Sequence, residues 1–250
     1  MIKPCLAVEY EKERDKNALR FPYYAQPKMD GIRVLISFSD GRVKLTSRNG
    51  NEFNLPHIIE AITPYLSSHQ NIVLDGELYS HDLTFSNLCS IIRSANSEDK
   101  EMIKLYLFDY YNSDYPRMKY KDRYKALSDL SGVANIIIVE NITVKSHKGV
   151  ERALESFLGL GYEGVMIKSI SSHYKEGRSN TMMKYKKFID NEFEVKQIVD
   201  NTIICYTSAG VAFSVLGSAK IGDIVTIRYQ EMTSKGSLRF PRLIGIRDYE

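Results

Sequence analysis

The hydrophobic period of this chain changes near residue 190, and that change limits the folds open to it. Before it, strand-like and helix-like runs alternate irregularly. Val34 to Phe38 alternates into a strand, Asp40-Gly41 supplies a hairpin turn, and Val43 to Thr46 returns. Ile72 to Leu78, Leu105 to Phe108, Ile136 to Val139 and Val165 to Lys168 also read as strands. Leu55 to Leu66 has apolar residues at 55, 58, 59, 62 and 66, a helical period. Tyr120 to Leu130 and Val150 to Leu158 are expected helices, the second stopped by Gly159 and Gly161. No βαβα rhythm runs through these pieces, which predicts an α+β domain of antiparallel sheets with helices. Residues 1–20 are polar and are expected to wrap or fray.

Beyond the change lie five short β runs: Phe193 to Val199, Thr202 to Tyr206, Val211 to Leu216, Ile224 to Tyr229 and Arg242 to Arg247. Gly, Ser or Asp stands at the joints. Five such strands in about 60 residues fit a small closed barrel, of which the five-stranded OB-fold is one. The expected domains are therefore 1–189 and 190–250, with the junction near Asp190. At 43% hydrophobic and 26% charged, the chain is not a disordered one. It holds no apolar run near the roughly 18 residues that span a bilayer. The first residues lack the apolar core of a secretion signal, so no membrane partner and a cytoplasmic location are expected. Three scattered cysteines, Cys5, Cys89 and Cys205, argue against zinc or a disulfide framework. The five histidines show no ligand spacing. A net charge of +3 announces a nucleic-acid binder only where cations cluster.

Chemistry concentrates in a few islands. In Pro27-Lys28-Met29-Asp30-Gly31-Ile32-Arg33 a lysine precedes an acidic-glycine turn. A lysine amine becomes a nucleophile when nearby cations, desolvation or a metal lower its pKa, and Arg33 supplies a cation. Alone, this is equally a surface turn. Asp75-Gly76-Glu77 puts two carboxylates at a strand end, and Glu163 and Lys168 lie at the ends of another. Phe108 offers an aromatic face. Lys184 and Lys186 point to one side of a strand and Tyr185 to the other. Together these are the parts of a phosphoryl-transfer site: a nucleophile, carboxylates for a hard cation and charges for a polyphosphate.

The arrangement resembles the covalent nucleotidyltransferase superfamily, and within it the ATP-dependent DNA ligases of minimal viral or bacterial type. Six motifs stand in that family's order: K-x-D-G-x-R at Lys28, Ser47-Arg48-Asn49-Gly50, D-G-E at Asp75, Leu107-Phe108-Asp109, E-G-V-M-I-K at Glu163 and K-Y-K at Lys184. The resemblance covers about residues 21–250. It implies that Lys28 takes AMP from ATP as a phosphoramidate, passes it to a 5′-phosphate at a nick, and that a 3′-hydroxyl then displaces it. It implies that Asp30 orients the lysine or its metal and that Glu77 and Glu163 serve metal or ribose. Arg33 and Arg48 would hold ribose or the nick phosphate, with Gln26 at the adenine edge. Phe108 and Met166 would sandwich the base, and Lys184 and Lys186 would neutralise the α-phosphate. ATP and Mg2+, with Mn2+ as a substitute, are the implied cofactors. A nicked DNA duplex is the implied partner of a monomer.

Two departures from the pattern stand out. The family's last motif is R-x-D-K; here Arg242 and Ile246-Arg247-Asp248 are followed by Tyr249 and Glu250, without the lysine. The barrel segment leaves no room for a long inserted DNA clamp, which suggests that the two core domains grip DNA. Lys175, Arg178 and Lys187 form the expected DNA-binding cluster with Arg48. The basic run Arg117, Lys119, Lys121, Arg123 and Lys125 reads as a solvated helix face. Two other readings stay open: an RNA ligase or mRNA-capping guanylyltransferase of the same superfamily, and a non-catalytic nucleic-acid-binding protein.

Overall fold

The computed structural model describes residues 2–16, 19–94, 97–233 and 235–247, so the expected motif remnant Asp248-Tyr249-Glu250 lies outside the described residues. The chain divides into two compact units, residues 1–185 and 186–250.

The first unit opens with β1 (Cys5–Glu9) and α1 (Tyr10–Asp15). Then follow β2 (Tyr23–Lys28), β3 (Ile32–Ser39), β4 (Arg42–Ser47), β5 (Glu52–Phe53), α2 (Pro56–Ser68) and β6 (Ile72–Tyr79). Next come α3 (Phe85–Arg93), β7 (Lys104–Asn112), α4 (Tyr120–Ala126), β8 (Ile136–Ile138) and β9 (Ile142–Val144). The unit ends with α5 (His147–Gly159), β10 (Gly164–Ser169) and β11 (Gly177–Lys186). Six strands form one sheet, in the order β5-β4-β3-β6-β7-β8, and five form another, β1-β11-β10-β2-β9. The sheets are mixed: β1 runs parallel to β11 and β7 parallel to β8, against the antiparallel expectation. Residues 2–16 do not simply fray. The apolar run Cys5 to Val8, masked in the sequence by the charges behind it, adds an edge strand, and Tyr10 beyond it is buried.

On each sheet one face packs its apolar side chains under helices. Val34, Ile36, Leu74, Leu78, Leu105 and Leu107 meet Ile58, Ile62 and Leu66 of α2 and Leu88 and Ile92 of α3. Burying each of these aliphatic side chains contributes about 1.5–3 kcal/mol. Helix α3, unforeseen in the sequence, starts where the Thr84 hydroxyl accepts from Asn87 N at 3.3 Å. On the second sheet Ala25, Val165, Ile167 and Met183 pack under Val150, Leu154 and Phe157 of α5. Because side chains alternate along a strand, the remaining faces present the opposite set. They are Arg33, Asp75, Glu77, Tyr79 and Tyr106 on one sheet, and Tyr24, Gln26, Lys28, Met166 and Lys168 on the other. Gly76 lies where strands crowd: an added Cβ would come within 2.6 Å of the Tyr106 carbonyl oxygen and 3.0 Å of Leu105 Cδ1. We expect Gly76→Ala to lower unfolding free energy by about 2 kcal/mol or more in urea titration, since backbone must move to admit the methyl.

The second unit contains β12 (Ile189–Glu194), β13 (Gln197–Val199), β14 (Thr202–Tyr206), β15 (Ala212–Leu216), β16 (Ile224–Tyr229) and β17 (Arg242–Ile246). Asp190, the expected junction, lies within β12. The five sequence runs become six strands because the first run bends at Val195-Lys196. Val195 N bonds Asp223 O at 2.9 Å and Lys196 N bonds Ile204 O at 3.0 Å, so one run feeds both three-stranded sheets, β12-β16-β17 and β13-β14-β15. Val195, Ile203, Phe213, Val215, Val225 and Ile227 fill a single core between them.

Candidate active site

Strands β2 and β10 set the position of Lys28. Their antiparallel register places Lys28 opposite Gly164, Gln26 opposite Met166 and Tyr24 opposite Lys168, all on the face away from α5. The Lys28 ammonium pairs with the Glu163 carboxylate, and Glu163 N bonds Lys28 O at 2.9 Å, so backbone and side chain both hold the pair together. The Lys28 side chain is 20% exposed and that of Glu163 5%. Gly31 lets β3 begin against β6: a Cβ there would sit 2.5 Å from Leu78 O. Asp30 lies in the same turn, half-buried.

On the facing sheet Arg33 stands directly opposite Glu77, and Leu35 opposite Asp75. Arg33 grips Asp75 with two hydrogen bonds, Nε to Oδ1 at 2.5 Å and Nη2 to Oδ2 at 2.7 Å. Tyr174 donates its hydroxyl to Asp75 Oδ2 at 2.7 Å. Burial works against the Arg33 cation, but Asp75 outweighs it and holds the guanidinium above its ordinary value. Arg33 also covers the Phe108 ring, 4.5 Å from its centre. Phe108 is buried beside Met29, Tyr79 and Val139. The Gln26 amide donates to Val139 O at 3.1 Å.

Burial pushes the Glu77 carboxyl up to about 7; Arg33 and Lys28 pull against the rise, and Asp75 and Glu163 add to it. Between its ordinary value of 4.5 and 7, the folded chain keeps a proton that the unfolded chain has released. Stability must therefore fall as pH rises through that window, by roughly 3 kcal/mol from this group. We expect Glu77→Gln to flatten this slope, read as melting temperature against pH between about 5 and 8; an unchanged slope would remove Glu77 as its source.

The other expected residues lie further out. Arg48 is exposed and lines an open cleft of about 1100 Å³ with Arg33 and Glu77. Lys175 and Arg178 are exposed, on the connector after β10 and at the start of β11. Lys184 shares the inner side of its sheet and bonds Glu9 at 3.0 Å. In the second unit Lys186 Nζ donates to Gln230 Oε1 at 3.2 Å, Lys187 is exposed, and Arg247 pairs with Glu192 at 2.7 Å.

Sequence reasoning missed the buried charges behind the site. Arg123 is not on a solvated face: it is 3% exposed and holds Asp109 at 2.7 and 3.1 Å, while Arg117, Lys119, Lys121 and Lys125 are exposed. Its spacing from Tyr120, on the inner side of a short helix, was the available signal. Burial pulls Lys168 down to about 8, against the pull of Asp109. Among the described residues no three His, Cys, Asp or Glu side chains form a metal cage. Glu77 on β6 and Glu163, just before β10, are hard oxygen donors, which suits an ion that takes its other ligands from phosphate.

The model of the ATP-dependent DNA ligase domain matches residues 4–186, and that of the DNA ligase OB-like domain matches residues 202–247. The chain belongs to the ATP-dependent DNA ligase family. A DNA ligase of African swine fever virus is 31% identical over 180 residues, covering 67% of this chain and 42% of the viral protein. A DNA ligase of Haemophilus influenzae is 26% identical over 231 residues, 85% of this chain and 82% of that protein. The chain thus spans less than half the length of the viral relative. A solved Lig E DNA ligase superposes with a TM-score of 0.81 at 23% identity, covering 99% of this chain and 100% of its own. The Chlorella virus DNA ligase-adenylate gives 0.59 at 26% identity, covering 100% and 99%. The fold expected from the six motifs, an α+β nucleotidyltransferase domain followed by an OB barrel, is the one these relatives share. No helix among the described residues is long and apolar enough to cross a membrane.

Proposed function

We propose that the chain seals nicks in duplex DNA at the expense of ATP, through an adenylate carried on Lys28. The observation that carries this reading is the Lys28–Glu163 pair, set opposite Glu77 and Arg33 on facing sheets. Lys28 Nζ, once deprotonated, attacks the α-phosphorus; the P–N bond forms as the bond to pyrophosphate breaks. An oxygen of the nick 5′-phosphate then displaces the lysine, and the 3′-hydroxyl finally displaces AMP.

Glu163 holds the amine at the mouth of the site before attack, and Asp30 steadies the turn that carries it. Gln26, Phe108 and Met166 are the adenine side of the pocket, and flat apolar surface suits both stacking partners. Arg33 keeps Phe108 covered and in place, and Glu77, ionised above about pH 7, takes the ribose or the metal. Lys184 and Lys186 stabilise charge on the α-phosphate as it builds in the transition state. Arg48, Lys175, Arg178 and Lys187 bind the phosphodiester backbone, an attraction that weakens with salt. Mg2+, or Mn2+ in its place, held by Glu77 and Glu163, would neutralise the polyphosphate and ease departure of pyrophosphate.

The test is sealing of a labelled nick with ATP and Mg2+, beside a chelated control and a parallel trial with GTP. Sealing of DNA with ATP supports the reading. Label taken only from GTP, or sealing only of RNA strands, would replace it with a capping or RNA-joining activity. Failure to bind or transfer any nucleotide would leave a nucleic-acid-binding protein.

A further inference from the structure

Strand β7 carries one residue more than β6 beside it. Asp75 pairs with Asp109 and Gly76 with Leu107, so Phe108 is the residue left over. A bulge leaves its extra residue outside the ladder, and a buried carbonyl freed in this way needs another donor. The Phe108 carbonyl has two, Tyr120 Oη at 3.0 Å and Lys168 Nζ at 3.1 Å. Tyr120 comes from α4, which packs on the same sheet as β7. Lys168 comes from β10, in the sheet that carries Lys28. Its side chain therefore ties the bulge to the strand pair that holds the nucleophile.

Lys168 is 4% exposed, and its ammonium lies 4.3 Å from the centre of the Phe108 ring and 4.9 Å from that of Tyr120. A buried ammonium costs stability unless its surroundings return it. Here the return comes from the Phe108 carbonyl, the Phe108 and Tyr120 rings and the nearby Asp109 carboxylate, and two of these contacts are to Phe108 itself.

We propose that Lys168 is a positioning residue, which sets the height and tilt of the Phe108 ring relative to the Lys28 amine and so sets affinity for the adenine base. The proposal rests on the stacking role given to Phe108 above. Lys168 acts through the Phe108 carbonyl and ring.

The experiment compares Lys168→Met, Phe108→Ala and their double variant in adenylylation of Lys28. Half-saturating ATP and limiting rate are read separately. Sealing of a pre-adenylated nick, which needs no ATP, is measured alongside. Phe108→Ala and Lys168→Met should each raise half-saturating ATP about tenfold, with the limiting rate changed less than about threefold. The double variant should be no worse than Phe108→Ala, because both changes act on one ring. A merely structural lesion would lower the limiting rate in both assays and leave half-saturating ATP where it was.

If Phe108→Ala raises it and Lys168→Met does not, Lys168 has no positioning role and the stacking reading stands. If Phe108→Ala leaves it unchanged, the stacking reading falls and takes this proposal with it. Multiplicative effects in the double variant would show Lys168 acting independently of Phe108 and overturn the proposal. Should Lys168→Met fail to fold, Tyr120→Phe withdraws the other donor from the same carbonyl. A rise of about threefold in half-saturating ATP is then expected, and no rise overturns the proposal.

Discussion

Lys28→Ala should take up no AMP at all: the intact mass after incubation with ATP and Mg2+ stays at that of the unmodified chain, and nick sealing from ATP drops by at least about a thousandfold. The expectation follows from position. Lys28 sits at the end of β2, on the inner face, with its amine held by Glu163 and with Glu77 and Arg33 on the facing sheet. Among the described residues, the other lysines on this face make different contacts: Lys168 donates to the Phe108 carbonyl, and Lys184 pairs with Glu9. The alanine change also removes a cation from a carboxylate that is 5% exposed, which costs about 1–3 kcal/mol. Lys28→Arg separates the two effects. A guanidinium keeps a positive partner for Glu163 but does not lose its proton at accessible pH, so it cannot attack phosphorus. Lys28→Arg should therefore melt close to the parent and still carry no adduct. Both variants should retain measurable sealing of a pre-adenylated nick, because the last displacement does not pass through the lysine. An AMP adduct on either variant would sink the nucleophile assignment.

The legible part of this site is the part that is local in sequence. Lys28, Asp30, Gly31 and Arg33 fall within six residues, and a turn between two strands keeps them together whatever the rest of the chain does. Glu163 was legible from its motif as a carboxylate of the site, but its pairing with Lys28 was not, because that depends on β10 lying beside β2. The strands themselves were readable wherever one face is buried, as at Val34 to Phe38. Edge elements were not. Strand β1 hides a four-residue apolar run against a charged helix, and its partner β11 lies some 170 residues away. The same distance hides the charged layer behind the site. Asp75, Arg123, Asp109, Lys168 and Tyr174 come from five segments, and each alone reads as a turn, a solvated charge or an ordinary aromatic. Arg123 shows the difficulty best. Four of the five cations in its run are exposed, and only the docking of α4 on β7 turns the fifth inward.

Asp75→Ala should cost about 3–5 kcal/mol of unfolding free energy. Asp75 is 1% exposed and accepts three hydrogen bonds, two from Arg33 and one from Tyr174. Removing it strands a guanidinium whose side chain is only 20% exposed, with nearby Lys168 adding repulsion. Burial pushes Tyr174 well above its ordinary value and Asp75 adds to that rise, so the change also removes an acceptor from Tyr174. Asp75→Asn keeps one oxygen for Arg33 and should cost about half as much in urea titration of the full chain. The penalty of Asp75→Ala is mostly that of an uncompensated buried cation, so deleting the cation as well should return part of it. Arg33→Met with Asp75→Ala is expected to be more stable than Asp75→Ala alone by about 1–3 kcal/mol, since well-packed apolar groups replace a buried pair at little cost. That order of stabilities, parent above the double variant and the double variant above Asp75→Ala, is not expected if the pair merely adds one more contact. If Asp75→Ala costs less than about 1 kcal/mol, or if the double variant is the less stable, Arg33 is satisfied by other means and the layer behind the site does not depend on this pair.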